Sequence, residues 1–118
     1  MTQTGRLTTH VLDTANGHPA RGMAIGLFSV ENGLLTPLKD VHTNADGRVD
    51  SPLLAGAEMA TGVFELQFDV GQYFKTISGL EPGFLDVVPV RFRIGDLGAH
   101  YHVPLLVSPY GYSTYRGS

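Results

Sequence analysis

Three histidines, one arginine and a polar tail are the residues of this chain with chemistry to offer. His100 and His102 stand two apart in the run His100-Tyr101-His102-Val103-Pro104-Leu105-Leu106-Val107. Side chains of an extended segment alternate between faces, so Tyr101, Val103, Leu105 and Val107 share one apolar side and both histidines share the other. His10 sits the same way in the run from Arg6 to Asp13. There Leu7, Thr9 and Val11 make the more apolar side, with Thr8, His10 and Leu12 opposite. The three imidazoles therefore project from outer sheet faces that also carry leucines, a mixture that suggests a covered surface. Unperturbed imidazole titrates at roughly 6.5, so a histidine in a partly desolvated site can take a proton from water and return it within one turnover. That is the behaviour of a general base. The same three rings form a candidate zinc set, but no carboxylate or cysteine recurs beside them at a fixed spacing to complete it. His18 and His42 read as solvated surface residues.

Arg48 follows the turn signal Asn44-Ala45-Asp46-Gly47, where a guanidinium opening a strand can be held rigidly. Its planar fork suits a flat, oxygen-rich substrate or an enolate-like anion better than an ammonium would. The tail, Tyr115-Arg116-Gly117-Ser118, follows Pro109-Tyr110-Gly111-Tyr112-Ser113-Thr114, which has the turn chemistry and β-favouring residues of a last hairpin. Such a hairpin would carry the tetrapeptide to a fixed place where it can hold a substrate. Taken alone, Tyr115 and Arg116 could equally be the close of a strand.

The elements that must position these residues read as all-β. Glycine and proline punctuate the length, and short runs with period-two alternation lie between them, giving about eight strands at roughly 8 to 12 residues per strand and turn. In residues 63–69, Phe64, Leu66 and Phe68 alternate with Glu65, Gln67 and Asp69. In residues 87–94, Val88, Val90, Phe92 and Ile94 lie opposite Arg91 and Arg93, and Pro89 predicts a bulge or an edge position. Residues 23–30 make a more apolar strand. Between Gly71 and Ser78, Tyr73, Phe74 and Ile77 have the spacing of a short helix.

At 118 residues the chain is expected to form a single domain over 1–118, a sandwich or barrel small enough that oligomerisation would help bury its apolar surface. A net charge of −3 with no basic run argues against nucleic acid as a partner. The absence of cysteine removes disulfides, thiolate metal sites and cysteine nucleophiles together. No run approaches the roughly 18 apolar residues of a membrane span, and Met1 to Arg6 lack the apolar stretch of a leader, so the chain reads as soluble and cytoplasmic.

Four segments in order, Leu7-Thr8-Thr9-His10-Val11-Leu12-Asp13, Thr43-Asn44-Ala45-Asp46-Gly47-Arg48, His100-Tyr101-His102-Val103-Pro104-Leu105-Leu106 and the closing Tyr115-Arg116-Gly117-Ser118, resemble the transthyretin-related family of 5-hydroxyisourate hydrolases. The resemblance implies a transthyretin-like sandwich of two four-stranded antiparallel sheets with one short helix after the fifth strand. It also implies a homotetramer, a dimer of dimers whose central channel is lined by outer sheet faces. The implied reaction is opening of the 5-hydroxyisourate ring by water, in urate breakdown, with no metal or organic cofactor. Carried over by position, His10 and His102 would activate the water, Arg48 would bind substrate and stabilise the oxyanion, and Ser118 would help position groups. Tyr115 would contact the substrate, while His100 and Arg116 would play supporting roles. The chain departs from the family at Leu85-Asp86, where a tyrosine and a proline are common, away from these motifs. The alternatives are a non-catalytic transthyretin-like carrier of a small aromatic molecule and a β-sandwich interaction domain. A carrier channel has no use for two histidines and an arginine.

Overall fold

The computed structural model describes residues 4–118. Among them run strands β1 (Arg6–Asp13), β2 (His18–Pro19), β3 (Ala24–Glu31), β4 (Leu34–His42), β5 (Leu54–Ala55), β6 (Gly62–Asp69), β7 (Val87–Ile94), β8 (His100–Ser108) and β9 (Gly111–Thr114). A single 3₁₀ turn, Gly56–Glu58, precedes β6, and the helix α1 (Val70–Ser78) follows it directly. Asp69 caps that helix by accepting from the Gln72 N–H, which satisfies one of the free donors of its first turn. Tyr73 and Phe74 are buried beneath it, whereas Ile77, the third residue of the helical pattern, is 47% exposed.

The strands form the expected sandwich. One sheet runs β4-β3-β6-β7 and the other β2-β1-β8-β9, with the two-residue β5 added beside β1. Neighbouring strands are antiparallel except β1 and β8, which run parallel from Arg6 opposite His100 to Asp13 opposite Val107. Pro89 lies on β7, an edge strand, where its missing N–H breaks no ladder.

Alternation settles which side faces the core. Leu7 and Val11 of β1, Leu66 and Phe68 of β6, and Leu105 and Val107 of β8 are fully buried between the sheets. Each such side chain contributes about 1.5–3 kcal/mol by leaving water. Glu65 departs from the simple pattern. It stands on the outer face of β6 yet is only 6% exposed, because Arg91 donates to its carboxylate at 3.0 Å and Gln67 at 2.8 Å.

A buried polar cluster ties α1 to the end of β1, in the β2-β1-β8-β9 sheet. The Asp13 carboxylate, fully buried at the end of β1, accepts from the Tyr73 hydroxyl at 2.8 Å and from both the backbone and the side chain of Asn16. Burial pushes its pKa up, but these hydrogen bonds and the nearby His18 outweigh that and leave it below the ordinary value. Burial, together with the same contact, drives the Tyr73 phenol well above its usual range.

Candidate active site

Parallel pairing of β1 with β8 brings Thr8 opposite His102 and Arg6 opposite His100, all four side chains on the outer face. The Thr8 hydroxyl oxygen lies 2.6 Å from His100 Nε2 and 2.8 Å from His102 Nδ1. Both rings are half-buried. Their ring centres are 6.0 Å apart, so they do not stack and each meets the threonine by an edge.

Arg48 arrives through the turn that the sequence marks. The Asn44 carboxamide oxygen accepts from the N–H groups of Asp46 and Arg48, and the Asn44 N–H donates to the Arg48 carbonyl at 2.7 Å. The turn is fastened to β1 because the Val11 N–H donates to the Gly47 carbonyl at 2.8 Å, and a bridge pairs His10 with Arg48. Gly47 has a φ of 73°, and a β-carbon there would collide with the Val11 carbonyl oxygen, so no other residue type fits without moving β1. His10 Nε2 lies 2.9 Å from the Asp46 carbonyl oxygen. That oxygen can only accept, so Nε2 carries the ring's proton.

The tail comes back to the same place. β9 pairs with β8 from Gly111 opposite Ser108 to Thr114 opposite Leu105, and the ladder resumes in the same register where the Gly117 N–H donates to the His102 carbonyl at 2.8 Å. Between them the Arg116 guanidinium sits over the Tyr101 ring, 4.4 Å from its centre. Tyr101 is itself fixed, since its hydroxyl accepts from the N–H groups of Gly95 and Asp96. A cation over an aromatic face contributes about 0.5–1 kcal/mol at an exposed site, enough to bias a short tail toward one path.

These segments enclose a groove of about 420 Å³ lined by Arg6, Thr8, Arg48, His100, His102 and Ser118, among others. Burial holds His102 below the ordinary imidazole pKa, and the charges of Arg48, His100 and His10 lower it further. Burial and Arg6 act on His100 in the same direction. A neutral imidazole beside a guanidinium is suited to taking a proton from water while an adjacent oxygen gains negative charge. Among the described residues no group of three or more histidine, aspartate or glutamate side chains is placed to hold a metal ion, so the three histidines are not gathered as a ligand set.

Residues 7–117 match the profile of the HIUase/Transthyretin family. The chain belongs to that family. It stands with its enzymes, being 57% identical over 120 residues to 5-hydroxyisourate hydrolase 2 of Rhizobium meliloti (strain 1021), with all of both chains covered. The solved 5-hydroxyisourate hydrolase of Klebsiella pneumoniae superposes with a TM-score of 0.81 at 36% identity, over 97% of this chain and 99% of that one. Sea bream transthyretin, solved in complex with thyroxine, superposes with a TM-score of 0.85 at 29% identity, over 95% and 94%. Backbone shape therefore does not separate hydrolase from carrier. Sequence identity does, at 57% to the Rhizobium meliloti hydrolase against 29% to the sea bream protein.

Of the positions carried over from the family, Arg48, His100, His102 and Ser118 line the groove and His10 adjoins it through Arg48. Tyr115 is 60% exposed and does not line it, and Arg116 is spent on Tyr101. Two residues here carried no role in the sequence reading. Alternation places Thr8 on the histidine face, but only the parallel register shows that it meets both rings. Gly117 touches His102, a contact that no local pattern signals.

Proposed function

We propose that this chain hydrolyses 5-hydroxyisourate to 2-oxo-4-hydroxy-4-carboxy-5-ureidoimidazoline, a step of urate breakdown. The observation that carries the reading is the meeting, in one groove, of a guanidinium, a half-buried imidazole and a tail clamped to that imidazole's backbone, in a chain so close to a named hydrolase. An apolar ligand would need none of the three.

In the proposed mechanism His102 is the base. Its Nδ1 faces Thr8, which leaves Nε2 to take a proton from water as the water oxygen bonds to the ring carbonyl carbon. The charge that develops on the carbonyl oxygen is met by Arg48. Collapse breaks the ring carbon–nitrogen bond, and the leaving nitrogen takes the proton back from Nε2. His10, with its Nε2–H committed to the Asp46 carbonyl, orients substrate beside the base. Ser118, which lines the groove, helps position groups there, and Tyr115, exposed outside it in the single chain, contacts the substrate.

The working unit in this proposal is a homotetramer, a dimer of dimers, with sites in a channel between subunits. Leu12 and Leu106, register partners on the same outer face as the groove, are only half-buried in one chain, and a facing subunit would cover them. No metal or cofactor takes part.

The decisive experiment follows the near-ultraviolet absorbance of freshly generated 5-hydroxyisourate with the intact chain and with a variant lacking residues 115–118. Acceleration by the intact chain and its loss in the shortened one, at an unchanged sedimentation coefficient, is the expected result. Decay at the spontaneous rate with both proteins would end the proposal.

A further inference from the structure

The Thr8 hydroxyl has one hydrogen, and two imidazole nitrogens point at it. When both rings are neutral, every partner is satisfied only if one of those two nitrogens carries a proton and the other does not. In one arrangement His102 Nδ1–H donates to Thr8 Oγ1, Thr8 O–H donates to His100 Nε2, and His102 Nε2 is bare. In the other all three protons have shifted, and His102 Nε2 is blocked. The tautomers of the two histidines are thus tied together through a single side chain.

We infer that Thr8 is a positioning and relay residue that ties the His102 tautomer to that of His100, one of the two paired states leaving His102 Nε2 bare, and that it shares with His100 the proton His102 takes up. The inference rests on His102 being the base of the proposed reaction. When Nε2 takes a proton from water, His102 becomes a cation near Arg48, whose permanent charge opposes it. Thr8 offers an outlet. The Nδ1 proton passes to Oγ1, the hydroxyl's own proton passes to His100 Nε2, and the charge then rests on a ring whose opposing neighbour is Arg6. As Nε2–H is given to the leaving nitrogen, the two protons return along the same path. No proton is gained or lost over the cycle.

Neighbouring groups shape this path from every side. Thr8, Arg6 and His10 come from β1, His100 from β8, Arg48 and Asp50 from the loop after Gly47, and Ser118 from the tail. Thr8 is the member that contributes an exchangeable hydrogen between the rings while carrying no charge of its own.

The test compares Thr8→Val, which keeps the branched shape, with Thr8→Ser, which keeps the hydroxyl. Thr8→Val is expected to lower kcat by about 10- to 100-fold with KM within about two-fold, and Thr8→Ser to recover kcat to within about five-fold of the parent. Nitrogen-15 spectra of the imidazoles give a second reading that needs no turnover. The parent should show complementary tautomers, with a proton on either His102 Nδ1 or His100 Nε2 but not both, and Thr8→Val should lose that pairing. Equal losses in the two variants, or a His102 tautomer indifferent to Thr8→Val, would overturn the inference. If the parent did not hydrolyse 5-hydroxyisourate at all, the proposed function would fall on the kinetics, and the spectra would still decide whether Thr8 sets the tautomer.

Discussion

Gly117 lies against the imidazole of His102 so closely that a β-carbon built on the glycine would stand 2.5 Å from the ring's Cδ2 and 3.1 Å from Cγ. Thr8 holds the opposite edge of the same ring through Nδ1. The tail therefore acts on the imidazole by shape as well as through the hydrogen bond to its carbonyl. Gly117→Ala must push the ring or lift the tail, since no real β-carbon tolerates that distance. A displacement of about 1 Å in a reacting group can cost on the order of 100-fold in rate. We expect Gly117→Ala to lower kcat by that order while moving Tm by less than about 2 °C, since the residue lies at the edge of the fold. Parallel kinetics and thermal melts check this, and a fully active variant would show that the tail does not position His102.

Arg48 is a second lever, and it separates charge from geometry. Arg48→Ala removes both, and losing one donor aimed at a developing oxyanion typically costs about 2.7–4 kcal/mol of barrier, a factor on the order of 10² to 10³ in kcat. Arg48→Lys keeps the charge but not the planar fork, so it should recover only part of that loss. Full recovery by lysine would mean that Arg48 supplies field alone.

The acid limb of the pH profile follows from the same neighbours. A base works when unprotonated, and His102 is held below the ordinary imidazole value by burial first and then by Arg48, His100 and His10. Activity should therefore persist as pH falls through the range where a free imidazole would protonate, and fail only below it. Arg48→Gln removes one cation that lowers the pKa, so the limb of its residual activity should move to higher pH. An acid limb that stays in place in that variant would point to a base other than His102.

Much of this site was legible in the chain itself. Period-two alternation placed Thr8 and His10 on one side of β1 and both late histidines on one side of β8, and the Asn-Ala-Asp-Gly turn announced Arg48. Alternation describes one strand at a time, however, and says nothing of which strands pair. That β1 lies beside β8, parallel and with Thr8 opposite His102, is a property of the whole topology across more than 90 residues of sequence separation. The contact of Gly117 with His102 is hidden for the same reason. Glu65 and Asp13 show a different limit. Their charge predicts exposure, and both are buried because partners from other elements, Arg91 and Tyr73, supply the donors they need.

Asp13 and Tyr73 give a test of stability that leaves the groove untouched. Tyr73→Phe removes the hydroxyl that donates to Asp13 at 2.8 Å and leaves the fully buried carboxylate with only the Asn16 donors. Loss of one donor to a buried polar group costs about 1–3 kcal/mol. The cost should depend on pH in a definite direction. Asp13 titrates lower in the folded protein than its ordinary value of 3.8, so the stability it contributes is fully present above that value and is lost as pH falls through the lower, folded-state pKa. Part of that depression comes from Tyr73, so the parent and Tyr73→Phe should differ most near neutral pH and converge in acid. Urea unfolding of both proteins at pH 7 and at successively lower pH would measure this, with activity of the folded variant unchanged at pH 7. A stability difference that stayed constant into acid would show that the hydroxyl acts by packing rather than through the Asp13 charge.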